Sequence, residues 1–281
     1  MLPQFKETSV MGLASLLKKV LVSERISRHV DSVPKNLGAG GYDAWGFNKE
    51  VFKASLPIAA FLHDQYFRVE SHGLANVPAD GRVLLIANHA GQLPLDGVMI
   101  GAALALREEN PRFARAMIER FFPTVPFLGN ALNGMGAVVG DPLNCEKMLD
   151  REEAVVVFPE GVGGSGKPWS ERYQLQRFGS GFMHLAMNKN TPIIPVGVVG
   201  SEETMPSLGN FSPLARLLGV PYIPIAAPFP LPAKIVLNFG EPLVFANDLS
   251  NEDDMTANVE IVKDAIRALI KKGLSQRESV F

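Results

Sequence analysis

Five short apolar runs constrain this chain more than any other feature of its sequence. They are VLLIA (83–87), GAVVG (136–140), EAVVVFP (153–159), PIIPVGVVG (192–200) and AKIVLNFGEP (233–242). Short, nearly continuous apolar runs are what strands buried on both faces look like. Between and after them lie stretches of helical period at 96–110, 143–151, 176–189 and 252–272. The last aligns Val259, Val262, Ile266, Leu269 and Ile270 on one stripe. Alternating strands and helices predict an α/β fold, with a mostly parallel central sheet and helices on both faces. YFRVESHG, from residue 66, adds a strand, and NVPADGR reads as the turn that ends it. FARAMIE (113–119) fits either a strand or a helix.

The beginning of the chain reads differently. Residues 11–22, MGLASLLKKVLV, place Leu13, Leu16, Leu17, Val20 and Leu21 on one helical face, with Lys18 and Lys19 opposite. A Gly-rich connector (36–48) leads to a second amphipathic helix at 49–67, bent at Pro57. This divides the chain into an N-terminal amphipathic helical region, 1–65, and a larger domain, 66–281. The two N-terminal helices either pack on the core or lie on a membrane surface.

Composition removes several classes. The chain has 281 residues, 47% of them apolar, enough to bury a core without cross-links. Its 27 basic and 29 acidic residues nearly cancel, which argues against nucleic acid as a partner. The single cysteine, Cys145, permits no intrachain disulfide and has no metal-ligand partners at a useful spacing, so no metal site is expected. MLPQFKETSV lacks the regions of a signal peptide. The longest uncharged stretches, 121–140 and 217–233, are interrupted by prolines and do not form spanning helices. The expectation is a cytoplasmic protein, peripheral on the inner face of a membrane.

Two stretches carry chemistry. In IANHAGQLPLDG (86–97), His89 follows the first apolar run and Asp96 opens the next helix. The carboxyl ends of parallel strands are where α/β folds place functional groups. Histidine there can act as a general base, with a carboxylate fixing its tautomer. In VVFPEGVGGSGKPW (156–169), Glu160 ends an apolar run before glycines 161, 163, 164 and 166, which allow close backbone approach. Glu160 could bind acceptor hydroxyls. Lys167, Arg172 and Arg177 follow and are candidates to hold phosphates of donor or acceptor.

NHAGQLPLD, GMGAVVGD, FPEG and PIIPV occur in this order and together resemble the four motif blocks of the glycerolipid acyltransferases, the superfamily that includes 1-acylglycerol-3-phosphate acyltransferase. The resemblance covers roughly residues 66–245. It implies acyl transfer from acyl-CoA or acyl-carrier protein to a lipid hydroxyl, with no further cofactor. His89 would be the base, Asp96 would orient it, and Glu160 and Gly161 would help bind the acceptor. The fourth block would line or support the pocket.

Two departures mark a divergent member. The usual first block has four residues between His and Asp; here six separate His89 from Asp96, with a proline at position 94. The second block commonly ends in an acidic-basic pair whose arginine helps hold the acceptor phosphate, whereas here Asp141 is followed by Pro142. Either Lys167, Arg172 or Arg177 replaces that cation or the acceptor is uncharged. The same dyad could activate water, giving a thioesterase or lipid hydrolase, although no Gly-x-Ser-x-Gly elbow is present. A lipid-binding protein without catalysis is the third reading. The Pro-rich segment LLGVPYIPIAAPFPLPA (217–233) would cover an acyl groove, dip into lipid headgroups or run as a buried connector.

Overall fold

Among the described residues, seven strands join edge to edge and set the frame for everything else. A computed structural model describes residues 27, 29–30, 37–38, 40–124, 128–211, 213, 215, 223, 225–246 and 252–281. The strands are β1 (Glu70–His72), β2 (Val83–Ala87), β3 (Ala114–Ile118), β4 (Val138–Val139), β5 (Ala154–Val157), β6 (Ile193–Val199) and β7 (Val236–Phe239). They form one sheet in the order β1-β7-β6-β2-β5-β3-β4. All neighbours are parallel except β6 and β7. The helices whose bounds lie within the described residues are α1 (Lys49–Phe61), α2 (Leu95–Leu106), α3 (Leu128–Gly134), α4 (Pro142–Asp150), α5 (Val162–Ser165), α6 (Gly181–Asn188), α7 (Ser201–Thr204) and α8 (Glu252–Gln276). The helix expected at 11–22 lies outside the described residues, as do 217–222 and 224 of the Pro-rich segment.

Strand β2 is central, pairing Leu85 with Val156 of β5 and with Ile194 of β6. All five of its residues are buried. Its side chains divide by the two-residue period of a strand. Leu84 and Ile86 join Met148 and Leu149 of α4, Met183 of α6 and Ile266 of α8. Val83, Leu85 and Ala87 join Met99, Ile100 and Leu104 of α2 on the opposite face. Both faces are therefore covered, as the absence of polar alternation requires.

FARAMIE forms β3. Its Arg115, which interrupts the apolar pattern, is 1% exposed and pairs with Asp43 and Glu153. The guanidinium also lies against the rings of Trp45, Phe47 and Phe113. Removing one partner of such a buried ion pair typically costs about 3–5 kcal/mol, so this network ties the 43–47 segment to β3.

Several boundaries move. The 49–67 helix is α1 followed by a π-helical turn at Leu62–Tyr66; Pro57 lies inside α1, and the side chain of Asn48 caps it by accepting from the N–H groups of Glu50 and Val51. The 176–189 helix begins only at Gly181, and the Gln176 N–H ahead of it is donated to Glu160 Oε2.

Candidate functional site

The carboxyl ends of β2, β3, β5 and β6 open on the same side, and each delivers a polar residue there. At the exit of β2, Asn88 completes the sheet with its side chain: Nδ2 donates to Val198 O at 3.0 Å, and Oδ1 accepts from Val198 N at 2.7 Å. The chain is thus still anchored to β6 when it reaches His89. The His89 N–H donates to Glu160 Oε1 at 2.9 Å, and its ring stacks on Phe158 with centroids 4.5 Å apart.

The six-residue gap closes the dyad. His89 Nδ1 lies 2.6 Å from Asp96 Oδ2. Oδ2 also accepts from Ala90 N at 3.0 Å, and Oδ1 accepts from Gly97 N at 2.8 Å. Gly91 turns the loop at φ +85, where an added Cβ would come within 2.7 Å of Ser201 O. Ser201 Oγ donates to Ala90 O at 2.7 Å. Asp96 is fully buried in the first turn of α2, where backbone donors and the helix dipole favour a carboxylate. With Nδ1–H given to Asp96, Nε2 is left as the acceptor nitrogen.

Burial pushes the His89 imidazolium down and is the largest single influence. The Asp96 charge and hydrogen bond, together with Glu160 and Glu119, outweigh it and leave the pKa raised above 6.5. A raised folded pKa adds stability that is fully present below the unfolded value and lost as pH rises through the folded one. General-base chemistry needs the neutral form and is favoured in the opposite direction.

Glu160 has no exposed side-chain surface. Its Oε1 holds the His89 N–H, its Oε2 accepts from Gln176 N at 2.7 Å, and Lys167 Nζ lies 3.7 Å from Oε2. Lys167 is buried as well. Its Nζ is 3.1 Å from Glu202 Oε1 and donates to Gln174 O at 3.0 Å. Burial pushes the Glu202 carboxyl up, and the Lys167 charge only partly opposes it. Gly164 permits this packing: a Cβ there would fall 2.7 Å from both Glu160 Cβ and His89 Cβ. Gly161, with φ +52, turns the chain after Glu160.

His89 lines an apolar cavity of about 340 Å³ that follows β3. Lining residues extend from Phe113 to Glu119, about 20 Å at strand rise. Small residues make the space, with Gly97, Gly101 and Ala102 of α2 facing Ala114 and Ala116 of β3. Phe52 and Leu56 of α1 line another part of it. Cys145 lines it too, but burial pushes its thiol up to about 12, which leaves it protonated and inert at neutral pH.

The structure therefore brings His89, Asp96, Glu160 and Gly161 together, with Lys167 paired to Glu160, and leaves Arg172 and Arg177 exposed. Lys167 is enclosed by carboxylates. Arg172 is exposed and stacks on Trp169 at 4.5 Å, and Arg177 is exposed. None of the three lines the cavity. Sequence reasoning missed Glu119, which lines the cavity at the end of β3. Its position after FARAMI, at a strand's carboxyl end, was the available signal.

The dyad makes a direct prediction. Followed by NMR, the His89 ring should titrate above 6.5. Asp96→Asn should lower that pKa by about one unit or more, since an adjacent opposite charge moves a pKa by about 1–3 units. An unchanged titration in the variant would remove Asp96 as the cause.

The family model described as Acyltransferase matches residues 68–199, which contain His89, Asp96, Glu119 and Glu160. An uncharacterized protein of Mycobacterium tuberculosis is 36% identical over 256 residues, covering 85% of this chain and 71% of the relative. A human protein named DGAT1/2-independent enzyme synthesizing storage lipids is 26% identical over 209 residues, covering 72% of this chain and 61% of that protein. The crystal structure of the 1-acyl-sn-glycerophosphate acyltransferase PlsC from Thermotoga maritima shares the fold, with a TM-score of 0.52 at 17% identity, covering 91% of this chain and 93% of that one. The chain belongs to the acyltransferase superfamily.

Proposed function

We propose that this chain transfers an acyl group from a thioester donor, acyl-CoA or acyl-carrier protein, to the hydroxyl of a lipid. The observation that carries this reading is a histidine held by a buried carboxylate through Nδ1, beside an apolar cavity of about 340 Å³. His89 Nε2 takes the hydroxyl proton as the oxygen attacks the thioester carbonyl. The tetrahedral intermediate then expels the thiolate, which recovers that proton from His89. Asp96 keeps the ring oriented and stabilises its cationic form. The cavity receives the acyl chain. The human relative, named as an enzyme synthesizing storage lipids, supports lipid synthesis over hydrolysis.

The test is a joint measurement of free thiol and acylated lipid over both donors and a panel of lipid alcohols. Equal yields of the two are expected, with His89→Ala losing about 10²–10⁴-fold in rate, the usual worth of general-base catalysis. Thiol released without acylated lipid would make the protein a thioesterase, and full activity in His89→Ala would remove the base.

The channel can be tested separately. A side chain at Gly101 would meet nothing within 4 Å of its Cβ and would project into the cavity. Gly101→Phe should therefore shift donor preference toward short acyl chains while keeping the short-chain rate. Equal loss for every chain length would argue against a channel along β3.

We place the reaction at a lipid surface. Leu208 is 82% and Phe229 77% exposed. Backbone bonds between 208–211 and 223–225 bring Phe211 and Ile225, both exposed, onto the same segment. The described part of the Pro-rich segment thus presents apolar side chains outward. No helix among the described residues is long and apolar enough to cross a membrane. Purified protein should float with anionic phospholipid vesicles, and a Leu208→Ser, Phe229→Ser double variant should float much less. Wild-type protein that remains at the bottom with every composition would rule out this surface.

A further inference from the structure

The acyl-transfer reading leaves the acceptor open, and the charges around the cavity narrow it. Among the described residues, its lining carries the ionisable side chains of His89, Glu119, Asp141 and Cys145 and no lysine or arginine. Pro142 lines the cavity as the first residue of α4. Asp141 caps that helix by accepting from Leu143 N at 2.9 Å. Arg120 is adjacent in sequence to Glu119 but is 76% exposed and turned to Asp141 at 3.3 Å. Lys167 is spent on Glu160 and Glu202.

Glu119 is the carboxylate left over. It is partly buried, and no described residue donates a hydrogen bond to its side chain. Its Oε1 lies 3.1 Å from where a Cβ of Gly161 would stand, and His89 Cβ lies 2.7 Å from where a Cβ of Gly164 would stand. Gly164 N donates to Gly161 O, so the carboxylate and the imidazole flank the same turn of chain. A carboxylate accepts hydrogen bonds and has none to give. It suits a hydroxyl and repels a phosphate, more strongly in an apolar cavity than in water.

We propose that the acceptor is an uncharged lipid alcohol bearing a second hydroxyl close to the reacting one, of the monoacylglycerol class. One hydroxyl meets His89 Nε2 and the other donates to Glu119. This rests on the acyl-transfer reading and adds to it an acceptor class and an acceptor-binding residue. The pairing explains why the cavity keeps an unpartnered carboxylate beside its base.

The experiment compares monoacylglycerol, diacylglycerol and lysophosphatidate as acceptors for wild type, Glu119→Ala, Glu119→Gln and Glu119→Arg. Wild type should use lysophosphatidate at least ~100-fold less efficiently than monoacylglycerol, because the phosphate meets Glu119 in a weakly screening cavity. Glu119→Ala should raise KM for monoacylglycerol about 10–100-fold more than for diacylglycerol, the worth of a hydrogen bond to a charged group, and Glu119→Gln, which keeps a neutral acceptor oxygen, should show the same difference to a smaller extent. Glu119→Arg should gain activity on lysophosphatidate. If Glu119→Ala fails to fold, Glu119→Gln carries the same comparison. Lysophosphatidate used as well as monoacylglycerol, or an equal effect of Glu119 substitution on both neutral acceptors, would overturn the proposal while leaving acyl transfer standing. Thiol release with no acylated product from any acceptor would overturn the acyl-transfer reading itself.

Discussion

The site is organised around one buried carboxylate. Asp96 takes hydrogen bonds from the His89 ring, from Ala90 N and from Gly97 N, and has no exposed surface. A carboxylate so placed is stable only if its lone pairs are filled, and all three donors come from the β2–α2 loop and the first turn of α2. The loop is therefore folded around the charge. This is why two additional residues between His89 and Asp96 do not separate them: Gly91 and Pro94 absorb the extra length, while the ends converge on the same oxygen atoms.

Glu160 gives the other half of the support. It grips the His89 backbone, and Asp96 grips the ring, so both position and orientation are fixed from opposite sides. The cost of burying Glu160 is offset by Lys167, whose own burial is offset by Glu202. Such chains of buried charge are strongly damaged by removing any single member. The Gly-rich turn serves the same end, since a side chain at Gly164 would collide with both Glu160 and His89.

Most of the strand framework was readable, because runs such as VLLIA are buried on both faces and admit few alternatives. FARAMIE was not, because Arg115 is neutralised by Asp43 and Glu153, residues distant in sequence. His89 and Asp96 were readable from their place at a strand end and from the ordered motif blocks, while their contact depended on a loop conformation that spacing alone did not determine. Glu160 was recognisable as special but faces inward to His89 and Gln176. Lys167, read as a phosphate ligand, is enclosed by carboxylates that come from elsewhere in the chain. Local sequence exposes which residues are unusual; which charges meet is decided by the sheet order.

In the proposed acyl transfer, an oriented imidazole beside an apolar cavity suits a reaction between two lipid-like substrates, where water must be kept from the thioester. Its central element is the neutral His89 ring, made a stronger base by Asp96. The dependence of kcat/KM on pH tests this most directly, in wild type and in Asp96→Asn. The rate should rise with pH along a limb whose apparent pKa lies above 6.5 in wild type, and the limb should move to lower pH in the variant with a reduced plateau. A wild-type rate that is flat across this range, falls as pH rises, or keeps the same limb without Asp96 would contradict the account.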